Sequence, residues 1–112
     1  MARKFRFVAL VNAKEGCDDA FNAWHTEIHL PEVARIAGFT RGERMRLVEG
    51  SNGDATRYRY LVMFEGESDD PYEPLQKIGA AGAAHQINMS DTLGEPNWSS
   101  MFEEIPGAVY CP

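Results

Sequence analysis

The sequence has few of the features that mark several specialised classes of protein. Its 112 residues include two cysteines, Cys17 and Cys111, which lie near opposite ends of the chain with no motif around either. Two isolated thiols are the default expectation, rather than a disulfide or a nucleophile. No apolar run is long enough to cross a bilayer, and Arg6 interrupts the apolar stretch near the N-terminus. We interpret that stretch as a strand and expect a cytoplasmic protein with no membrane partner.

Basic residues are also scarce. The chain has 11 Lys and Arg against 17 Asp and Glu, which gives a formal net charge of -6. A nucleic-acid-binding domain normally presents a basic face, so we expect no nucleic-acid partner. The length and the hydrophobic content of 44% are typical of one globular domain. We expect that domain to span residues 1–112.

Four segments predict β-strands because they are rich in β-branched and aromatic residues. These segments are residues 4–13, 39–49, 57–67 and 99–109. Residues 50–54 supply a turn between the second strand and the third. Asp70 and Pro71 open a helix after the third strand, and residues 88–97 predict a loop.

Another helix is predicted between the first two strands. Asp18 or Asp19 is a candidate N-cap. The core stripe at helical spacing is Phe21, Trp24 and Ile28. Pro31 lacks an N–H, so we expect this helix to break or kink near residues 29–30. Pro31 can stand at the first position of a second short helical piece that ends at Gly38.

The order of these elements is β-α-β-β-α-β, which predicts an α+β, ferredoxin-like fold. In that fold a four-stranded antiparallel sheet carries two helices on one face. The first predicted strand is apolar on both sides, with Phe5 and Phe7 on one side and Val8 and Leu10 on the other. An exposed apolar sheet face marks an interaction surface, so we expect a homodimer with the two sheets packed face to face.

The segment AWHTEIHLPEV, residues 23–33, contains two of the three histidines in the chain. It does not match the zinc-protease motif His-Glu-x-x-His, because Glu27 does not follow His25 directly. His25 and His29 are one helical turn apart and could bind a metal together with Glu32. Pro31 disturbs that geometry and no further cluster completes a site, so we expect neither a metal nor another cofactor.

His29 is the candidate catalytic residue, acting as an acid or base. It lies on the flank of the core stripe, where a pocket between helix and sheet would open. The N-terminus of a helical piece after Pro31 would disfavour the imidazolium form and leave a neutral proton acceptor. An alternative is that His29 only caps the exposed N–H groups at the break. For His25 we favour a partly exposed position with no role.

Four further residues are candidates for binding a substrate. Trp24 and Tyr60 could line the pocket while they also pack in the core, and His85 could approach the pocket from the second helix. Arg46 could hold a carboxylate or enolate if its face of the second strand meets the helices. For Arg44 and Arg46, pairing with Glu43, Glu49 or Glu65 is the favoured alternative.

The segment FNAWHTEIHLPEVARIAGFTRGERMRL, residues 21–47, resembles the first helix and second strand of EthD-like proteins, a family of the dimeric α+β barrel superfamily. The resemblance rests on Trp24, on the His29-Leu30-Pro31 element, on Gly38-Phe39, and on a strand that holds arginines. The order of elements extends it over nearly the whole chain. It implies a dimer whose subunits each have a pocket between helices and sheet, often for aromatic or polyketide-like compounds.

The resemblance implies three functions. The leading hypothesis is a small-molecule-binding protein that acts, without a cofactor, as an isomerase, dehydratase, decarboxylase or cyclase on an aromatic or carbonyl-bearing metabolite. In this hypothesis His29 supplies the acid/base chemistry. The alternative is a non-catalytic accessory or ligand-carrier protein of a catabolic pathway. A further alternative is a monooxygenase or a haem-binding relative.

Overall fold

The computed structural model describes residues 2–51 and 57–112. In chain order its elements are β1 (Arg3–Val11), α1 (Asp18–Trp24), a π-helical turn (His25–His29), α2 (Leu30–Ala37), β2 (Arg41–Arg46), β3 (Tyr60–Ser68), α3 (Tyr72–Ala83) and β4 (Trp98–Glu103). Residues 52–54 of the predicted turn lie outside the described residues. Within the described residues, no helix has the length and apolar character needed to span a membrane.

The strands form one antiparallel sheet in the order β2-β3-β1-β4. Phe7 of β1 lies opposite Phe64 of β3, and Ala9 lies opposite Val62. Residues directly opposite each other in an antiparallel pair point to the same face, so these four side chains share one face. The helical segment and α3 pack on that face, and the ferredoxin-like fold predicted from the element order is confirmed.

The hydrophobic core lies between this face and the helices. Its largest cluster is Phe5, Val33, Ala37, Phe39, Val62 and Phe64, all buried. A second cluster joins Val11, Phe21 and Tyr60 at the other end of the sheet. Buried Asn12 closes that end, because its Nδ2 donates to the carbonyls of Arg57 and Pro96 while its Oδ1 accepts from the Arg59 N–H.

None of the described helices packs on the opposite face of the sheet. It carries Val8 and Leu10 of β1 and Met63 of β3, all half-buried. Met45 of β2 and Phe102 of β4 are 45% and 52% exposed on the same face. Both sides of β1 are therefore apolar in the structure, as the sequence indicates, and one of them is uncovered within this chain.

The last strand is shorter than predicted. β4 ends at Glu103, whereas the sequence predicts a short strand within residues 99–109 that ends near Pro106. Glu103 pairs with Phe5 near the beginning of β1, so beyond it there is almost no backbone of β1 left to pair with. Apolar side chains further on are exposed, with Ile105 at 72% and Tyr110 at 80%.

The helix is disturbed near residues 29–30 and Pro31 stands at the start of α2, as predicted, but the helix does not end there. The chain stays helical from Asp18 to Ala37, and residues 25–29 form a π-helical turn in which the Leu30 N–H donates to the His25 carbonyl. Pro31 has no N–H to donate to the carbonyl of residue 27, as an α-helix would require at this point. The wider hydrogen bonding of the π-helical turn accommodates the missing bond without ending the helix. As predicted, α2 ends at Gly38, whose φ of 78° is left-handed.

The π-helical turn also changes which residues face the core. Each residue of a π-helix advances by less than the ~100° of an α-helix, so the predicted stripe of Phe21, Trp24 and Ile28 is rotated beyond Trp24. Ile28 is 46% exposed, and its predicted core position is wrong. His25 and His29 turn toward the sheet in its place.

Candidate functional site

A cavity of about 360 Å³ lies between the sheet and the helices. The side chains that line it are Phe7, Ala9, Val11, Val62 and Phe64 from β1 and β3, Trp24, His25, His29 and Val33 from the helical segment, Ile78 from α3, and Ile87, Met89, Leu93, Asn97, Trp98 and Ser99 from the segment that leads into β4. None of these lining residues is Asp, Glu, Lys or Arg. The volume lies in the range of roughly 300–1,000 Å³ that is usual for small-molecule pockets.

The polar part of the wall is a group of aromatic and imidazole rings on one side of the helical segment. The Trp24 and His29 rings are stacked, with centroids 4.6 Å apart and an angle of 26° between their planes. The His25 ring meets His29 edge to face at 5.2 Å and meets Phe21 in the same way at 5.3 Å. Both imidazoles are therefore held by ring packing, and no described residue forms a hydrogen bond to the buried Nδ1 of either.

His25 is part of this wall, and the sequence interpretation of a partly exposed residue is wrong. Its side chain is only 3% exposed. Burial lowers the pKa of His25 to about 3, and the positive charges of Arg44 and of a protonated His29 act in the same direction. His25 is therefore a neutral imidazole at physiological pH, and its buried Nδ1 has no hydrogen-bond partner.

His29 lines the cavity where the sequence predicts an acid/base residue, but for a different physical reason. Its side chain makes no capping hydrogen bond, so the alternative of a purely capping residue is not supported. Because the helix continues through residue 29, there is no exposed N-terminus to repel a charge. The pKa of His29 is lowered by burial instead, and the carboxylate of Glu32 opposes that effect.

The segment after α3 is tied across the cavity by a cluster of hydrogen bonds. The buried Glu32 carboxylate accepts from the backbone N–H of Asn88 at 2.7 Å and from its Nδ2 at 2.6 Å. Trp24 Nε1 donates to the carbonyl of Asn88 at 3.1 Å. These bonds hold Ile87 and Met89 against the cavity, and they engage the Glu32 carboxylate that the sequence suggests as a metal ligand.

Tyr60 does not line the cavity. It is buried behind Phe21, with ring centroids 5.5 Å apart, and its hydroxyl donates to Asp18 Oδ2 at 2.6 Å. Asn22 Nδ2 donates to the same hydroxyl at 3.2 Å. Burial and the hydrogen bond to Asp18 raise the pKa of Tyr60. Tyr60 therefore packs in the core instead of lining the cavity, and it borders a separate groove.

Arg46 and His85 are also outside the cavity. Arg46 is exposed at the end of β2, opposite Tyr60, and it borders the separate groove. His85 is exposed just after α3 and has a φ of 56°, so it ends the helix rather than reaching inward. Of the five predicted site residues, His29 and Trp24 therefore meet at the cavity, and the other three do not.

Several residues of the site are not predicted from the sequence. The spacing of His25 and His29, one turn apart, is the signal that could have placed both on the cavity, but an α-helical register puts Ile28 in the core instead. Glu32 and Asn88 are 56 residues apart, so no local pattern indicates their contact. The predicted pairing of Arg44 with a nearby glutamate is not observed, because its partners are Asn22 and Thr26.

Comparisons with known proteins show which fold the chain shares with solved structures, at low sequence identity. No protein-family model matches the sequence, and no curated protein matches it. Among solved structures, an ethyl tert-butyl ether D (EthD) family protein from Bacillus halodurans C-125 is 18% identical with a TM-score of 0.62, and the match covers 91% of this chain and 99% of that one. The predicted resemblance to EthD-like proteins is thus confirmed at the level of the fold.

Two further structures share this fold. A proposed monooxygenase from Shewanella loihica PV-4 is 11% identical with a TM-score of 0.62, and the match covers 94% of this chain and 97% of that one. A dimeric ferredoxin-like protein of unknown function from Thermobifida fusca YX is 17% identical with a TM-score of 0.54, and the match covers 91% of this chain and 92% of that one. At such identities the shared property is the fold, which hosts many functions.

Proposed function

We propose that the protein binds a small, uncharged and largely aromatic metabolite with a carbonyl or hydroxyl group, and that it moves a proton on this ligand without a cofactor. The reaction would be of the isomerase, dehydratase, decarboxylase or cyclase type. The observation that carries the proposal is the pair of imidazoles, His25 and His29, in the wall of an apolar cavity, since no described residue hydrogen-bonds to the buried Nδ1 of either.

The class of ligand follows from the lining. Aromatic and aliphatic side chains favour a flat apolar body, and a charged ligand would lose its hydration with no opposite charge to replace it. The unpaired imidazole nitrogens need a hydrogen-bonding partner, since a buried polar group without one costs roughly 1–3 kcal/mol. One carbonyl or hydroxyl on the ligand would supply that partner. The stacked pair of Trp24 and His29 would lie against its ring system.

The two histidines differ as proton acceptors. Arg44 adds to the effect of burial on His25, whereas Glu32 opposes it on His29. His29 is therefore the better base, because an efficient general base has a pKa near the operating pH. We assign proton transfer to His29 and a neutral hydrogen bond to the ligand oxygen to His25.

A ketone probe tests this assignment. β-Tetralone is uncharged, bicyclic and aromatic, and the exchange of its α-protons with D₂O is followed by NMR. We expect the wild-type protein to accelerate that exchange at least ~100-fold over buffer, the usual contribution of one general base. His29→Phe keeps a flat ring against Trp24 but removes the base, so it should abolish the acceleration. His85→Phe, in an exposed residue away from the cavity, is the matched control.

The outcome separates the proposal from its alternatives. Binding of β-tetralone, seen by quenching of tryptophan fluorescence, with no acceleration of exchange would favour the ligand-carrier function, which the low pKa of His25 also suits. A Soret band after addition of haem would favour the haem-binding alternative. Acceleration that survives His29→Phe in a folded variant would refute the role of His29.

We also propose that the chain is a homodimer, joined through the uncovered sheet face. The support is the exposure of Met45 and Phe102 on that face, together with the Thermobifida structure, which is described as dimeric. Sedimentation should give twice the mass of one chain at micromolar concentration. Phe102→Glu should give a monomer, and Tyr72→Glu, at an exposed position on α3, should leave the dimer intact. A wild-type monomer would refute this proposal without affecting the cavity.

A further inference from the structure

A second depression lies beside the cavity, on another flank of the helical segment, and the proposed reaction does not use it. It is a groove of about 290 Å³ between α1, the π-helical turn and the end of β2. The residues that line it are Asn22, Thr26, Arg44, Met45, Arg46 and Tyr60. Among the described residues, the groove therefore has two arginines in its wall and no carboxylate.

Arg44 is held rigidly in this groove by neutral groups. Its Nη1 donates to Thr26 Oγ1 at 2.8 Å, and its Nη2 donates to Asn22 Oδ1 at 2.9 Å. Its guanidinium lies over the rings of Phe21 and Tyr60, with Cζ 5.5 Å from each centroid. These contacts orient the cation without neutralising it, and its buried Nε has no hydrogen-bond partner.

The lack of a counter-ion distinguishes these arginines from others in or directly beside the same sheet. Four arginines form ion pairs with glutamates: Arg3 with Glu103, Arg6 with Glu65, Arg41 with Glu43, and Arg59 with Glu49. Within residues 2–51 and 57–112, no carboxylate lies within 4 Å of the side-chain nitrogens of Arg44 or Arg46. Since acidic residues outnumber basic ones by 17 to 11, a general shortage of carboxylates does not explain this.

We propose that the groove binds a small oxyanion, a carboxylate or a phosphate group, between Arg44 and Arg46. Arg46 is exposed and would offer its guanidinium fork to two oxygens of the anion. Arg44 would supply the fixed positive charge and the remaining N–H of Nη2. A planar carboxylate or a phosphate suits the fork geometry of arginine, whereas an uncharged ligand would leave both charges uncompensated.

NMR titration with inorganic phosphate, and separately with acetate, tests this site. Ionic strength is held constant with sodium chloride, and backbone amides of Thr26, Met45 and Arg46 are followed. We expect saturable shifts at these amides with half-saturation on the order of 1 mM. Arg46→Gln should weaken binding at least ~5-fold, because it removes the charged fork. Arg41→Gln, an exposed arginine of the same strand that is paired with Glu43, should leave the affinity unchanged.

Three results would overturn the proposal. Sodium chloride alone could produce the same shifts, which would indicate ionic screening only. Arg46→Gln could leave the affinity unchanged, or the shifts could cluster at cavity residues such as His29 and Met89 instead. Arg44→Lys provides a second variant, since it keeps the positive charge but removes the guanidinium fork. In the wild-type protein, a response only to phosphate or only to acetate would identify which oxyanion fits the groove.

Discussion

The cavity and the arginine groove lie on two flanks of the same helical segment, and they differ in how they treat charge. The cavity side carries His25 and His29, which burial keeps neutral, among apolar side chains. The groove side carries Arg44 and Arg46, which stay charged and have no carboxylate within 4 Å among the described residues. Neighbouring residues of one helix therefore border an environment suited to uncharged ligands and another suited to anions.

The difference shows that burial removes a charge only where the side chain can release its proton. The histidines can lose their charge by giving up a proton, so they tolerate a dry cavity. An arginine cannot be deprotonated in this way and must keep contact with polar groups or water. The Phe21 ring contacts both regions, because its centroid is 5.3 Å from that of His25 and 5.5 Å from Cζ of Arg44.

The largest expected effect comes from removing this shared wall. Phe21 is 0% exposed and contacts rings of both regions, so Phe21→Ala leaves a cavity between them. We expect the free energy of unfolding to fall by about 3–5 kcal/mol, measured by urea denaturation. Tyr72→Ala is the control, because Tyr72 is 66% exposed and its loss should change stability by less than about 0.5 kcal/mol. Equal losses in the two variants would contradict a central role for Phe21.

Lowering the pH should destabilise the protein through the buried histidines of the cavity. The folded protein holds the pKa of His25 at about 3, below its ordinary value of 6.5. Between these two values the unfolded chain binds a proton at His25 that the folded state does not bind. Stability is therefore complete above about pH 6.5 and declines as the pH falls toward the folded pKa, by up to about 1.4 kcal/mol per pH unit. The lowered pKa of His29 acts in the same direction.

Urea denaturation between pH 7 and pH 4.5 measures this slope. His25→Gln should make the slope shallower, because the buried titrating group is gone. The control is His85→Gln, which changes an exposed histidine that borders neither the cavity nor the groove, and it should keep the wild-type slope. A His25→Gln protein with an unchanged slope would show that other groups govern acid sensitivity.

A smaller effect is expected where the Glu32 carboxylate holds Asn88 beside the cavity. Glu32→Gln replaces a charged acceptor of two hydrogen bonds from Asn88 by an amide that can accept fewer. We expect the Asn88 amide to exchange its hydrogen about tenfold faster, which corresponds to about 1.4 kcal/mol of local opening. The amide of Val62 in the central strand β3 should keep its wild-type rate. Faster exchange at both sites would indicate a global rather than a local loss.

The smallest effect should come from the groove side. Thr26→Val keeps the shape of the side chain but removes the acceptor of the 2.8 Å bond from Arg44 Nη1. Because that bond is exposed, we expect a loss of only about 0.5–1 kcal/mol in urea denaturation. Exchange of β-tetralone protons should be unaffected, since Thr26 does not line the cavity. Slower exchange would show that the two regions are coupled.

Much of the fold is predictable from the sequence because it depends on local patterns. The β-branched and aromatic run of β1, the turn at Gly38 and the helix opened by Asp70 and Pro71 each leave a signal within a few residues. The consequence of Pro31 is predicted only in part. Its missing N–H indicates a disturbance of the helix, but the sequence does not reveal that the chain would widen into a π-helical turn rather than break.

The site is less predictable than the fold for a related reason. His29 and Trp24 can be placed on a pocket wall because helical spacing and a nearby proline single them out. His25 is missed because its burial depends on the rotation that the π-helical turn introduces. The hydrogen bonds between Glu32 and Asn88 join residues that are distant in the chain, so only the packed structure brings them together.

The sequence by itself determines the β-α-β-β-α-β order, the two apolar sides of β1 and the candidacy of His29, because periodicity and composition are properties of short segments. Only the tertiary structure decides that His25 joins the cavity and that Arg44 has Asn22 and Thr26, rather than a glutamate, as its partners. The physical reason is that burial, and with it the charge state of each group, depends on which distant elements pack around it.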